Sequence, residues 1–270
     1  MFSPDCHSLA LICLSILSSS LCADDTRSEW AAGPTVQQFQ YQEFNASGAS
    51  LNEETGILPG AQFAIRYADE RLSHQVKLSL SGGDVDYDGQ TQGGAPHLTD
   101  TRTRLYGLGY RIETANSPDH LTAYMSADWT YWSREIQPAG FIIGLDESYR
   151  WPSLGLGLKW PLFESNKHAL HISGGYLRIL PGRFTVDLSE LGYSKQEINL
   201  GSGEGGEASL LYRFGFSAKQ SVEVELFAQR WSFQASAPET IRNGARSLTF
   251  LEPRSKSQRI GLAARLVMPF

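Results

Sequence analysis

Residues 259–270 read RIGLAARLVMPF and alternate in polarity along their whole length. One face would carry Ile260, Leu262, Ala264, Leu266, Met268 and Phe270, and the other Arg259, Gly261, Ala263, Arg265 and Val267. Because successive side chains of a strand point to opposite faces, this spacing predicts a β-strand with one apolar face. The strand ends on a terminal aromatic residue.

This ending resembles the C-terminal signature of bacterial outer-membrane β-barrel proteins, and Pro269 is its one unusual residue. The resemblance implies a barrel surrounded by outer-membrane lipid. It also implies that the barrel-assembly machinery of that membrane recognises Phe270, Met268 and Leu266. Since the motif covers only the last strand, the rest of the chain has to support the fold by its own pattern.

Four further segments alternate as clearly, and each is short enough to be a single strand. They start near Tyr106, Leu121, Ser153 and Ala208 and run over 106–113, 121–131, 153–162 and 208–216. Weaker alternation covers 36–45, 60–68, 73–87, 168–180 and 221–235. The parity of these weaker runs reverses near Gly82 and within 176–179 and 228–233, which predicts β-bulges there.

Ten strands follow, and their connections alternate in length. The segments 68–72, 115–120, 164–168 and 218–220 are short, whereas 46–59, 88–99, 135–147, 181–204 and 236–254 are long. Short periplasmic turns and long extracellular loops are typical of outer-membrane barrels. The predicted fold is therefore all-β, a transmembrane antiparallel up-and-down barrel of ten strands. Both termini lie on the periplasmic side, and the two longest loops contain hairpins.

Two features favour a lipid-facing apolar surface over a soluble, lipocalin-like carrier. The polar face is rich in small residues such as Gly107, Gly109, Gly155 and Gly157, as a narrow lumen requires. The apolar face carries aromatic residues near strand ends, where the membrane interface would lie; they are Trp129, Tyr131, Trp160, Phe216 and Phe270.

The N-terminus predicts export. Residues 9–23 form an apolar run ending in small residues, so we expect 1–23 to be a signal peptide and 24–270 a single barrel domain. Lipidation at Cys22 is the alternative. All three cysteines precede residue 24, which excludes disulfides and thiol chemistry in the processed chain. The formal charge of −6 gives no reason to expect a nucleic-acid partner.

The polar face predicts a lumen that carries charges of both signs. The expected lumen residues are Arg66, Lys77, Arg111, Glu113, Asp128, Lys159, Glu207, Arg213, Glu223, Glu225, Arg259 and Arg265. In a barrel of ten strands, side chains from opposite walls can meet. We expect them to form a salt-bridged plug, and a narrow channel for small solutes is the alternative.

One acidic cluster suggests surface chemistry. Residues 82–89 read GGDVDYDG and place Asp84, Asp86 and Asp88 on one face of a strand. The chain resembles the omptin proteases in its predicted strand number, and that family uses rim acids with an Asp–His pair on another loop. Here loop 181–204 contains Asp187 but no histidine, so the general base is missing. A solvated or calcium-touching rim is the alternative to a hydrolase using Asp84 and Asp86.

Other catalytic sets are incomplete. His168 and His171 would point to opposite faces of a strand, so they do not form a hydrolase pair, and no nucleophile motif occurs. No residue pattern calls for a metal or a cofactor. The sequence therefore favours a non-enzymatic outer-membrane barrel with a structural or surface-interaction role, whose surface ligand it does not specify.

Overall fold

The computed structural model describes residues 27–90, 94–114, 121–217, 219–243 and 246–270. The predicted signal peptide, 1–23, lies outside the described residues. Fourteen strands occur within them: β1 (Arg27–Phe44), β2 (Ser50–Ala68), β3 (Leu72–Gln90), β4 (Pro96–Thr114), β5 (Thr122–Ile136), β6 (Leu145–Glu164), β7 (His168–Ile179), β8 (Arg183–Asp187), β9 (Gln196–Asn199), β10 (Gly203–Ser217), β11 (Gln220–Phe233), β12 (Glu239–Asn243), β13 (Arg246–Phe250) and β14 (Arg254–Pro269).

Ten of these strands close a barrel. The order around the ring is β1-β2-β3-β4-β5-β6-β7-β10-β11-β14, and β14 pairs with β1 to complete it. Every neighbouring pair is antiparallel. The predicted last strand is central to closure, because Leu262 is opposite Val36 on one side and Leu226 on the other. The expected ten-stranded, all-β, up-and-down barrel is confirmed.

The strands are longer than the sequence pattern suggested. The predicted first strand, 36–45, is preceded by nine further strand residues, and three of the expected long loops are mostly strand. The β1–β2 connection is only 45–49, and Gly48 has the positive φ of 88° that its tight turn needs. The outward half of the barrel is therefore built from continued strands rather than from loose loops.

The predicted β-bulges at the three parity reversals are absent, and that expectation was wrong. Strands β2, β3 and β4 keep one register through Gly82, and β7, β10 and β11 do so through the other two positions. What reverses along these strands is the face that carries the apolar side chains. In β3, Leu80 points outward and is 55% exposed, whereas Val85 points inward and is 2% exposed.

The same inversion recurs in β5, β7 and β11. Near the periplasm the outward side chains are apolar and the inward ones polar, and near the outer end the inward side chains form an apolar core. In β1 the outward series passes from Val36 to Gln38, Gln40 and Gln42. A barrel that spans lipid and then rises into water requires this change of pattern without any change of register.

The inversion locates the membrane. Outward-facing Trp129, Tyr131 and Tyr106 stack together at the level where the apolar outer surface ends, as an aromatic girdle does at a membrane interface. The other predicted interface aromatics also face outward. They are Trp160, Phe216 and Phe270, which are 60%, 48% and 71% exposed. Strand residues beyond this girdle form the outer segment of the barrel.

Two small hairpins extend the outer segment, as expected for the longest loops. Strand β8 adds to the top of β6 and is followed by β9, with a short 3-10 turn, Ser189–Leu191, between them. Strands β12 and β13 form a separate pair. Among the described residues, no helix has the length and apolar character needed to cross a membrane.

Candidate functional site

The membrane-level half of the lumen is lined by the twelve charged residues expected there, and most of them pair across it. Glu223 on β11 has a side chain with no exposed surface and receives three arginines. Arg66 reaches it at 2.6 Å, Arg213 at 2.6 Å and Arg265 at 3.2 Å. Glu29, which was not among the predicted lumen residues, bridges Arg66 and Arg213 at 2.9 and 2.5 Å. Ion pairs between β1, β2, β10, β11 and β14 thus cross-link the lumen.

A second group of pairs links the opposite wall. Arg111 Nη2 lies 2.8 Å from Glu207, which also accepts a hydrogen bond from the Tyr124 hydroxyl at 2.9 Å. Lys159 Nζ contacts Glu113 at 2.5 Å. Tyr124 fits here because Gly157 leaves the space: a Cβ at Gly157 would come within 2.2 Å of the tyrosine ring. The small residues of the polar face therefore make room for large side chains from neighbouring strands.

Three of the expected lumen residues have no ion pair within the described part of the chain. Lys77 has no carboxylate within 4.0 Å and no hydrogen bond. Arg259 donates to the amide oxygen of Gln229 at 2.7 Å and lies over the ring of Trp231. Asp128 leans over Gly109, so that a Cβ there would be 2.4 Å from its carboxylate. All three line a cavity of about 790 Å³.

The cavity is open toward the periplasm and covered on the outer side. At its periplasmic end it is lined by Asp69, Glu70 and Glu164. At its outer end it meets apolar and aromatic side chains. These belong to a layer that we call the aromatic septum, which lies just outward of the membrane girdle and contains Phe39, Leu58, Leu105, Trp132, Trp151, Ile179, Trp231 and Phe233.

The septum is densely packed. Trp132 is 1% exposed and meets Phe39 and Tyr41 edge-on, with ring centroids 5.5 and 4.9 Å apart. Trp151 meets Phe233 in the same way at 5.2 Å. Such edge-to-face pairs stabilise beyond the burial of their area. Side chains from strands on all sides of the ring therefore fill the cross-section of the barrel at this level.

Outward of the septum lies a buried group that we call the arginine–carboxylate cluster. Its members are Arg134, Glu43, Glu54, Glu147 and Glu252, with the hydroxyls of Tyr41 and Tyr149. The Arg134 side chain is 1% exposed and contacts Glu54 at 2.6 Å, Glu147 at 2.5 Å and Glu43 at 3.4 Å. Its guanidinium also lies 4.5 Å from the ring centroid of Tyr41.

Four carboxyl groups around one guanidinium cannot all be ionised at low cost in so buried a place. Burial raises the pKa of Glu147 to about 7, and Glu43 and Glu54 add to this although Arg134 opposes it. Burial, together with the carboxylates of Glu43 and Glu147, raises the pKa of Glu252 well above its usual range. Burial also raises the pKa of Glu54. The cluster therefore holds protons at neutral pH.

The hydrogen-bond geometry agrees with a neutral Glu252. The Tyr149 oxygen lies 3.0 Å from each of Glu147, Glu252 and Arg134. A phenol has one proton, so it can donate to only one carboxylate. With Glu252 protonated, that acid donates to the Tyr149 oxygen, the Tyr149 hydroxyl donates to Glu147, and Arg134 donates to the Tyr149 oxygen, so each of the three contacts has a donor.

Sequence reasoning missed this cluster. Three of its four carboxylates, those of Glu54, Glu147 and Glu252, fall in segments expected to be loops. Arg134 lies three residues beyond the predicted end of its strand. The signal was present: Trp132, Arg134 and Ile136 continue the alternation of β5, with the apolar residues now on the inward face. Since the predicted strand stopped at Tyr131, this inversion was not recognised.

The acidic residues proposed for a hydrolase lie elsewhere. Asp84, Asp86 and Asp88 are exposed on the outer wall of β3 and face away from the lumen. Asp84 contacts Arg102 at 3.4 Å, and Asp86 is opposite Asp100. His97 points inward and packs against Tyr87, on the other face of the same sheet. The alternative of a hydrolase that uses Asp84 and Asp86 would therefore lack His97 as its general base.

Among the described residues, no group of three or more histidines, cysteines or acids has the arrangement of a metal site. Neither a protein-family model nor a curated protein sequence matches this chain.

Solved structures show the fold. The crystal structure of the outer membrane protease OmpT from Escherichia coli is similar with a TM-score of 0.55 at 12% identity, covering 94% of this chain and 100% of that one. The translocator domain of the autotransporter NalP from Neisseria meningitidis has a TM-score of 0.41 at 14% identity and covers 95% of both chains. The P. putida toluene transporter TodX has a TM-score of 0.37 at 9% identity, covering 93% and 91%. The last two are too distant to carry an argument.

This chain thus has the fold of an outer-membrane β-barrel, and its apolar outer belt with an aromatic girdle agrees with that location.

Proposed function

We propose that this protein is a closed outer-membrane barrel whose lumen does not conduct and whose outer segment presents a rigid structural or interaction surface at the cell exterior. One observation carries the proposal: the aromatic septum fills the barrel at the level of the outer interface. Above it, the arginine–carboxylate cluster adds a second buried layer. A solute that entered from the periplasm would meet closely packed aromatic rings rather than a path outward.

The outer segment has features of a contact surface. The β5–β6 connection contains no charged residue over 137–144 and carries Phe141, whose side chain is fully exposed, and Ile143, which is 38% exposed. Leu98, on the adjacent strand β4, is 66% exposed. Exposed apolar side chains grouped at one corner are typical of interaction sites. This corner supports the surface-interaction part of the proposal.

Planar-bilayer recording of the purified barrel tests the closed lumen. We expect no steady conductance from the wild type. The triple variant with Trp132, Trp151 and Trp231 replaced by alanine should leak, because three large side chains are then removed from the septum. Trp160→Ala is the matched control, since Trp160 faces lipid and is 60% exposed.

Steady conductance of the wild type at the level of an open pore would overturn the proposal. A silent triple variant that is folded, as judged by its heat-modifiable electrophoretic mobility, would show that closure does not depend on the septum. Conductance of the wild type would favour the channel alternative. A silent triple variant would favour a plug other than the aromatic septum.

A further inference from the structure

We infer that the periplasm-facing cavity is a binding pocket for a compact organic monoanion with an apolar body and one carboxylate. The cavity of about 790 Å³ lies within the range of small-molecule sites, which are concave and mostly pre-formed. Its blind outer end and open periplasmic end suit a ligand that enters from the periplasm. This inference goes beyond the closed-barrel proposal and does not depend on whether the barrel conducts.

The charge balance of the wall favours an anion. Apart from the three rim acids Asp69, Glu70 and Glu164, the cavity is lined by seven lysines and arginines and six acids, which leaves one positive charge. The rim acids lie at the periplasmic end, where solvent screens them. A single carboxylate would neutralise the excess without disturbing any existing ion pair.

The excess can be located. The cations Arg66, Arg213, Arg265, Arg111 and Lys159 each contact a carboxylate at 3.2 Å or less. Lys77 and Arg259 do not, and both reach the cavity. Glu225, Arg111, Glu207 and Asp128 are the charged groups that act electrostatically on Lys77, and of these only Asp128 lacks an ion pair. Two free cations and one free acid therefore share this part of the wall.

The outer end of the cavity supplies the complementary apolar surface. It is formed by Leu105, Trp151, Leu177, Ile179 and Trp231, all nearly fully buried. Trp231 is 5% exposed, and its indole N–H has no hydrogen-bond acceptor among the described residues. Arg259, which lies over the same ring, joins the apolar end of the pocket to its cationic wall.

A titration with 4-fluorophenylacetate, followed by fluorine NMR on the detergent-solubilised full barrel, tests the inference. The uncharged 4-fluorophenylacetamide is the reference, because it partitions into micelles and fills the same space without the charge. We expect the acid to bind at least about tenfold more tightly than the amide, as one charge-assisted hydrogen bond would give. This comparison uses the wild type, so it does not depend on any variant folding.

Variants locate the site. Lys77→Met and Arg259→Met should each weaken binding of the acid about tenfold or more and leave binding of the amide unchanged. Lys256→Met is the matched control, since Lys256 lies exposed on the outer wall of β14 and should have no effect. Equal affinity of acid and amide for the wild type would overturn the inference. A folded Lys77→Met barrel that binds the acid as tightly as the wild type would also overturn it. Neither result would bear on the closed lumen, which the conductance measurement tests separately.

Discussion

Replacing Arg134 by methionine removes the only cation of the arginine–carboxylate cluster and nearly preserves the volume of the side chain. Arg134 is 1% exposed and contacts three carboxylates, and Glu54, which lies 2.6 Å from it, has no exposed side-chain surface. Removing one partner of a buried pair destabilises by about 3–5 kcal/mol, because the remaining charge stays uncompensated. We expect a loss of that size in the free energy of unfolding at pH 8.

The loss should shrink as the pH falls. In the folded wild type the pKa of Glu147 is raised from its ordinary 4.5 to about 7, so the fold favours the neutral acid. Stabilisation from such a group is complete below pH 4.5 and is lost as the pH rises through 7. Without Arg134 the carboxylates lose their counter-charge, which makes ionisation in the fold still less favourable. The variant should therefore approach the wild type at pH 5 more closely than at pH 8.

Urea unfolding in lipid vesicles, followed by tryptophan fluorescence at pH 5 and pH 8, measures both effects. Arg150→Met is the matched control, because Arg150 is half exposed and pairs with exposed Glu197 on β9, across the intervening strand β8. Exposed ion pairs contribute about 0–1 kcal/mol. The reasoning is refuted if Arg134→Met costs no more than Arg150→Met at pH 8, or if its cost is the same at both pH values.

Three further changes have defined outcomes. Glu147→Gln should flatten the pH dependence of unfolding and stabilise the fold at pH 8, which unfolding in vesicles at several pH values would show. The gain is at most about 3.5 kcal/mol, since the pKa of Glu147 is raised from 4.5 to about 7 and each pKa unit corresponds to about 1.4 kcal/mol. Gly157→Ala should destabilise by about 1–3 kcal/mol, because its Cβ would clash with Tyr124, whereas Gly174→Ala, with only a carbonyl at 3.7 Å, should cost less in the same assay. Phe270→Ala should reduce the amount of folded protein in outer-membrane fractions if the terminal aromatic is the assembly signal; unchanged amounts would contradict that role.

Much of the barrel could be predicted from local pattern. The C-terminal segment alternates without a break from Arg259 to Phe270, and a period of two is a property of the chain itself. Because the same alternation recurs along the chain, and because short and long connections separate the alternating segments, the strand number and the lipid-facing surface could be predicted as well. The lumen position of residues such as Arg66 and Glu223 followed as well, because facing is set by parity.

The pairing of those residues did not follow. Parity places Glu223 inside the barrel but does not indicate that Arg66, from a strand 157 residues away in sequence, lies 2.6 Å from it. Which side chains meet across a closed ring depends on the register and stagger of every strand. For the same reason, the sequence did not indicate that Lys77 and Arg259 would be left without carboxylate partners.

The limits of the strands were also decided by tertiary structure. The sequence by itself determined that one face of each strand is apolar at the membrane level, since lipid selects those side chains directly. Only the closed barrel decided where that face turns inward, as between Leu80 and Val85 in β3. Beyond the membrane the outer wall meets water, so the apolar residues there are stabilised only by packing against the opposite wall, and that wall exists only once the ring has closed.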